Sequence, residues 1–366
     1  MSTMRASAAN IDISQPVTAS NSVYLSVFGH KFDALVFLAP LFLGFFICAS
    51  YSLFSNPRNL DQMSPHFAMT IMILFNYPHT FSTLFRTYAD QSFRSQSTTL
   101  LWVTPIAVML FNFVFLNYSV LIFFQLVVLL AFYHGMRQDY GWVRMAASRA
   151  GESSQLDRYL NSLTIYLTHL APMVWLISQE HNGKWFMDGD IPTLLPKWAG
   201  EFVITFYAIV FFAFLCRQII KWKAGHKICL VKTYVVISAG TVWFLIAYVL
   251  EMRSVFQVVL PTLIHTIPYS FFSFRYRAAT KLETDRKAWE FTGRDGKAIT
   301  YLALCLIGLF HSQVFEVVFA VPSNNTLLLN LFFALMYVPQ NLHYILDGFI
   351  WKPGRDSNLR RILAKI

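Results

Sequence analysis

The stretch Leu327–Trp351, LLLNLFFALMYVPQNLHYILDGFIW, decides the fold. It is long enough to cross a ~30 Å hydrocarbon layer, and its first half could lie there at little cost. Its second half differs, because Gln340, Asn341, His343 and Asp347 fall on it just before Lys352 and Pro353. His343 and Asp347 are four residues apart, so on a helix both side chains leave the same face. A carboxylate at the middle of a bilayer costs ~3 kcal/mol on insertion scales, so this pair points to function.

The rest of the chain has the same character. Hydrophobic residues make up 56% and charged residues 13%, against about 25% charge in soluble proteins. Ten apolar stretches are long enough to span: roughly 34–54, 67–87, 99–116, 117–135, 159–178, 198–217, 234–250, 254–274, 300–320 and 327–351. This predicts an all-α fold, a polytopic transmembrane helix bundle of about ten spans. A polar N-terminal tail (1–33) leads into a single bundle (34–351), and a basic C-terminal tail (352–366) follows. The first 22 residues lack the basic start, apolar centre and small-residue cleavage site of a signal peptide.

Of the 29 Lys and Arg, only Arg58, Lys184, Lys197 and Arg253 fall on one set of alternate connections, and the others fall on the opposite set. That asymmetry predicts that both termini are cytoplasmic. The net charge of +10 is spread over connections rather than gathered on one soluble face, which argues against nucleic acid as a partner. The segment 275–297, RYRAATKLETDRKAWEFTGRDGK, reads as a solvated basic loop drawn to anionic membrane lipid, with an interfacial helix around Ala278 to Trp289. The four cysteines show no CxxC spacing, so neither a zinc site nor a disulfide framework is expected.

Polar residues recur inside the spans. Asn76, His79, Arg86 and Asp90 follow one helical stripe, and Pro78 marks a bend beside His79. His134 precedes Arg137, Gln138 and Asp139. His169, His265 and His311 lie near the middle of their spans, whereas His79, His134, His343 and Asp347 belong to the cytoplasmic half. Taken singly, such a histidine most often just satisfies an interior hydrogen bond. Taken together, His79, His134, His343 and Asp347 match the imidazole and carboxylate set of non-haem iron, while another transition metal would accept the same donors. In this reading His343, Asp347 and His134 carry the chemistry, and Gln138 and Asn341 orient the ligands from behind. Arg86 with Asp90, and Arg137 with Asp139, read as boundary ion pairs. The outer loop residues His181, Asp188 and Asp190 read as a polar cap.

Three blocks, NYPHTFSTLFRTYAD at 76–90, YHGMRQDYG at 133–141 and NLHYILDGFIWK at 341–352, resemble blocks of a His-rich class of bacterial multi-pass membrane proteins. The scatter of intramembrane histidines also resembles that of the Brp/Blh membrane carotene dioxygenases. That resemblance implies an iron held by histidines and a lipid-soluble substrate, and it assigns no residue a role. The HxxxH and HxxHH boxes of membrane desaturases are absent.

The expectation is an integral protein of a bacterial inner membrane, a metal-dependent oxidoreductase acting on a hydrophobic or lipid-like small molecule. Two other readings fit the same residues. A proton- or ion-coupled transporter would use the intramembrane His and Asp as a relay, with helices broken at Pro78, Pro268 and Pro339. A lipid-linked transferase would use His343 as a general base.

Overall fold

The computed structural model describes residues 24–54, 63–180, 184–249, 254–284, 294–320 and 326–364. The described residues are helical almost throughout, and the strands among them are one parallel two-residue pair, Tyr24–Leu25 (β1) with Ile228–Cys229 (β2). In chain order the helices begin with α1 (His30–Phe37), α2 (Ala39–Phe54), α3 (Pro65–Ile71), α4 (Tyr77–Ser82) and α5 (Gln91–Gln96). Then come α6 (Thr98–Tyr118), α7 (Val120–Arg149), α8 (Gln155–Leu176), α9 (Lys197–Lys223) and α10 (Val231–Phe244). The last are α11 (Ser254–Thr284), α12 (Arg294–Ala320), α13 (Thr326–Met336), α14 (Val338–Ile350) and α15 (Ser357–Leu363).

Each of the ten apolar stretches falls on helical structure, and seven helices among the described residues are long and apolar enough to cross a membrane. The outer surface is apolar as well: Phe42, Phe46, Phe54, Trp102, Phe212 and Phe310 are all exposed. So many large exposed apolar side chains suit contact with lipid or protein rather than water.

Several stretches expected as single spans are interrupted, and two of the breaks that carry a proline lie beside the polar residues of interest. Between α3 and α4 the backbone widens into a π-helical segment, Met72–Asn76, and Pro78 has no N–H for the Leu74 carbonyl. The Tyr301 hydroxyl donates to that carbonyl instead. The Leu327–Trp351 stretch breaks at Tyr337, two residues before Pro339. Side chains serve the carbonyls there, with Asn112 Nδ2 donating to Ala334 O (3.0 Å) and His311 Nε2 to Met336 O (2.9 Å). Backbone carbonyls in hydrocarbon need such partners. His311 therefore has a structural task, and its Nδ1 lies 3.2 Å from the Tyr77 hydroxyl. Gly308, one turn away, lets α12 approach α4, since a Cβ there would lie 2.5 Å from the Tyr77 Cβ.

Polar clusters close the bundle at the end that carries most of the basic residues. Arg86, 1% exposed, pairs with Asp90 (2.6 Å) and with Asp356, and also donates to the Ile350 carbonyl. Asp356 caps α15 by accepting from Leu359 N (2.9 Å), so one guanidinium anchors the C-terminal helix. The expected Arg86–Asp90 pair is thus part of a larger cluster. The expected Arg137–Asp139 pair does not form: Asp139 Oδ2 lies 3.2 Å from His169 Nε2, and Arg137 instead donates to the Tyr166 hydroxyl. The interfacial helix expected over Ala278 to Trp289 is the continuation of α11 as far as Thr284, and residues 285–293 lie outside the described ones. In the loop between α8 and α9, Asp190 accepts from the backbone N–H of Trp185, Phe186 and Met187, and Asp188 pairs with Lys184. His181 lies outside the described residues.

Between α7 and α8, Glu152 accepts from Lys221 (2.6 Å), Lys232 and Asn161 (2.8 Å). Burial opposes its charge, but the two lysines outweigh burial and hold the carboxyl below its ordinary value of 4.5. A depressed carboxylate contributes stability that is complete above the unfolded value and is lost as pH falls through the folded one. The melting temperature of the detergent-purified protein should therefore drop below about pH 4.5. Glu152→Gln should melt lower at neutral pH, since two lysines lose their partner, and should flatten the acid limb. An unchanged acid limb in that variant would assign the acid sensitivity to another group.

Candidate metal centre

Four helices each bring one imidazole to a common point. His79 follows Pro78 on α4, His134 lies at the centre of α7, His265 precedes Pro268 on α11, and His343 lies on α14. One ring nitrogen from each lies within 4.8 Å of those of the others. Ring centroids are 4.4 Å apart for His79 and His343, 4.6 Å for His79 and His265, 4.6 Å for His134 and His343, and 5.0 Å for His134 and His265. His79, His134 and His343 are buried and His265 nearly so.

Hydrogen bonding alone does not account for this group. His343 Nε2 and His79 Nε2 are 2.8 Å apart and can share one proton. His79 Nδ1 and His134 Nε2 are buried with no hydrogen-bond partner. Each unsatisfied buried group costs about 1–3 kcal/mol, so such positions call for an explanation. A cation provides one, because neutral imidazole is the commonest side-chain donor to iron, copper and zinc. The spacing is compatible. With metal–nitrogen bonds of about 2.1 Å, two donors on one ion sit about 3.4 Å apart in a tetrahedral set and about 4.2 Å apart when trans, so a pair at the 4.8 Å limit would close by about 0.6 to 1.4 Å.

Of the residues expected at the site, His79, His134 and His343 come together, and Asp347 takes a different place from the one expected. Its Oδ1 lies 3.6 Å from His343 Nδ1, the ring nitrogen that does not face His79. It accepts from the Tyr269 hydroxyl (2.8 Å) and from Thr83 Oγ1 (3.3 Å). Thr83 Oγ1 is itself 2.6 Å from His343 Nδ1, and Trp351 Nε1 donates to the Tyr269 oxygen (3.2 Å). Gln138 donates to the His265 carbonyl (2.8 Å), steadying that turn of α11. Asn341 is further out, donating to Asn112 Oδ1 (2.8 Å) rather than to an imidazole.

His265 joins the group although the sequence placed it deeper than the other three. The reason lies in the helix lengths. The fourth apolar stretch ends near 135, but α7 runs on to Arg149, so His134 is central in its helix instead of terminal. His169 stays apart, paired with Asp139. Thr83 gave no signal in the sequence, being uncharged and cheap to bury. A cavity of about 350 Å³ is lined by Phe75, Thr266, Ser270, Phe274 and Tyr301. It occupies the face of α11 opposite His265 and Tyr269, outside the imidazole group.

The sequence matches no family model, and neither a curated protein nor a solved structure matches it.

Proposed function

We propose that this chain is an integral membrane oxidoreductase whose four histidines, His79, His134, His265 and His343, hold a transition metal. The observation that carries the reading is four imidazoles, three of them buried, with donor atoms within 4.8 Å of one another, two of them leaving a ring nitrogen unpartnered. Iron is the metal of choice, because an all-imidazole set leaves coordination positions open and non-haem iron supplies oxygen-dependent oxidation there. The protein's own part is to hold four neutral rings in fixed rotamers, keep water out of their pocket, and place counter-charge on Asp347 behind His343. An apolar outer surface rich in Phe and Leu suits a substrate that arrives from the bilayer, so the substrate is proposed as hydrophobic or lipid-like.

The topology goes with this reading: ten spans, both termini cytoplasmic, in a bacterial inner membrane, supported by the ten helical stretches and the uneven distribution of Lys and Arg. Elemental analysis of protein purified in mild detergent tests the function. One equivalent of iron per chain is expected, with copper or zinc as the result that would change the metal. A transporter would show no stoichiometric metal, and its transport would be most sensitive to His169 and Asp139.

A further inference from the structure

The geometry points to Thr83 as a positioning residue that, with Asp347 and Tyr269, selects the tautomer in which His343 can ligate. This inference rests on the metal reading above and concerns how the chain prepares one ligand.

Each proton in this row has a limited choice of acceptors. Indole nitrogen only donates, so the Trp351 N–H points at the Tyr269 oxygen (3.2 Å). Tyr269 then has one proton to give, and its nearest acceptor is Asp347 Oδ1 at 2.8 Å. Thr83 also has one proton and faces three acceptors, His343 Nδ1 at 2.6 Å, the Tyr269 oxygen at 3.1 Å and Asp347 Oδ1 at 3.3 Å. Two arrangements follow. In one, Thr83 donates to Nδ1, so the ring proton sits on Nε2 and points at His79 Nε2, 2.8 Å away. That ring cannot bind a cation through Nε2. In the other, His343 Nδ1–H donates to Thr83, Thr83 donates to the Tyr269 oxygen or to Asp347, and the Nε2 lone pair faces the other imidazoles.

Both arrangements pair every donor in the row, and the second is open to the ring because Tyr269 and Asp347 offer oxygens that can take the Thr83 proton. Without a hydroxyl at position 83, Nδ1 would meet the Asp347 oxygen only at 3.6 Å, beyond hydrogen-bond range. Ligating histidines in other proteins are held in the same way, through the nitrogen that does not bind the metal. Here the carboxylate acts through a threonine.

The test uses full-length protein stripped with a chelator and titrated with Co(II), whose visible bands report both affinity and coordination. Thr83→Val keeps the shape and removes the hydroxyl. It should weaken Co(II) binding about 10–100-fold, the range typical of such outer partners, and shift the bands. Thr83→Ser should return affinity to within about threefold of wild type, which a purely space-filling role would not require. If Thr83→Val does not yield folded protein, Asp347→Asn decides, with a loss of about tenfold expected. Wild-type affinity in Thr83→Val, or in Asp347→Asn when that variant decides, would overturn this inference alone. A wild-type chain that binds no Co(II) would overturn the metal reading and this inference with it.

Discussion

His265→Ala should strip the bound metal as completely as His343→Ala, while His311→Ala should keep it. His265 belongs to the group whose donor atoms lie within 4.8 Å, whereas His311 is occupied with Met336 O and the Tyr77 hydroxyl. Loss of one ligand in four should exceed the 10–100-fold typical of an outer partner. Membrane insertion should survive, because removing an imidazole makes a span more apolar. Metal content measured beside the yield of folded protein separates the two effects. Metal retained in His265→Ala but lost in Asp347→Asn would restore a three-histidine, one-carboxylate site.

The largest loss of stability is expected from Arg86→Met. The guanidinium is almost fully buried, is shared by Asp90 and Asp356, and stacks near the Phe93 ring at 4.7 Å and the Tyr276 ring at 5.4 Å. Methionine roughly fills the space but leaves two carboxylates without a counter-charge. Breaking a buried pair from one side typically costs 3–5 kcal/mol. Denaturant unfolding in mixed micelles would measure it, and proteolysis at Arg360 and Arg361 would report release of α15. A cost below about 1 kcal/mol would mean that the carboxylates find water or protons on their own.

The elements were legible because apolar stretches of spanning length leave few alternatives to helix. The grouping of His79, His134 and His343 was legible for a related reason, since an imidazole in a span must find a polar neighbour. Depth was not. Hydropathy marks where a stretch stops being apolar, and α7 and α11 continue as helices through polar turns to Arg149 and Thr284. Positions counted from the apolar limits therefore put His134 at an end and His265 in the middle. Asp347 was read as a ligand because carboxylate and imidazole share a face at i and i+4. That spacing also suits a carboxylate standing behind the ring, and only the placement of Thr83 distinguishes the two. The Glu152 cluster escaped notice because its partners lie 69 and 80 residues along the chain.

The four imidazoles are spread along most of the chain, His343 coming 264 positions after His79. A nascent chain that has delivered α4, α7 and α11 to the membrane still lacks the helix that completes the pocket. No truncated product ending before α14 can assemble it, however well its remaining helices insert. Under the proposed metal reading, loading begins only after nearly the whole polypeptide has been made, and a premature stop anywhere upstream of His343 leaves a chain without its fourth imidazole.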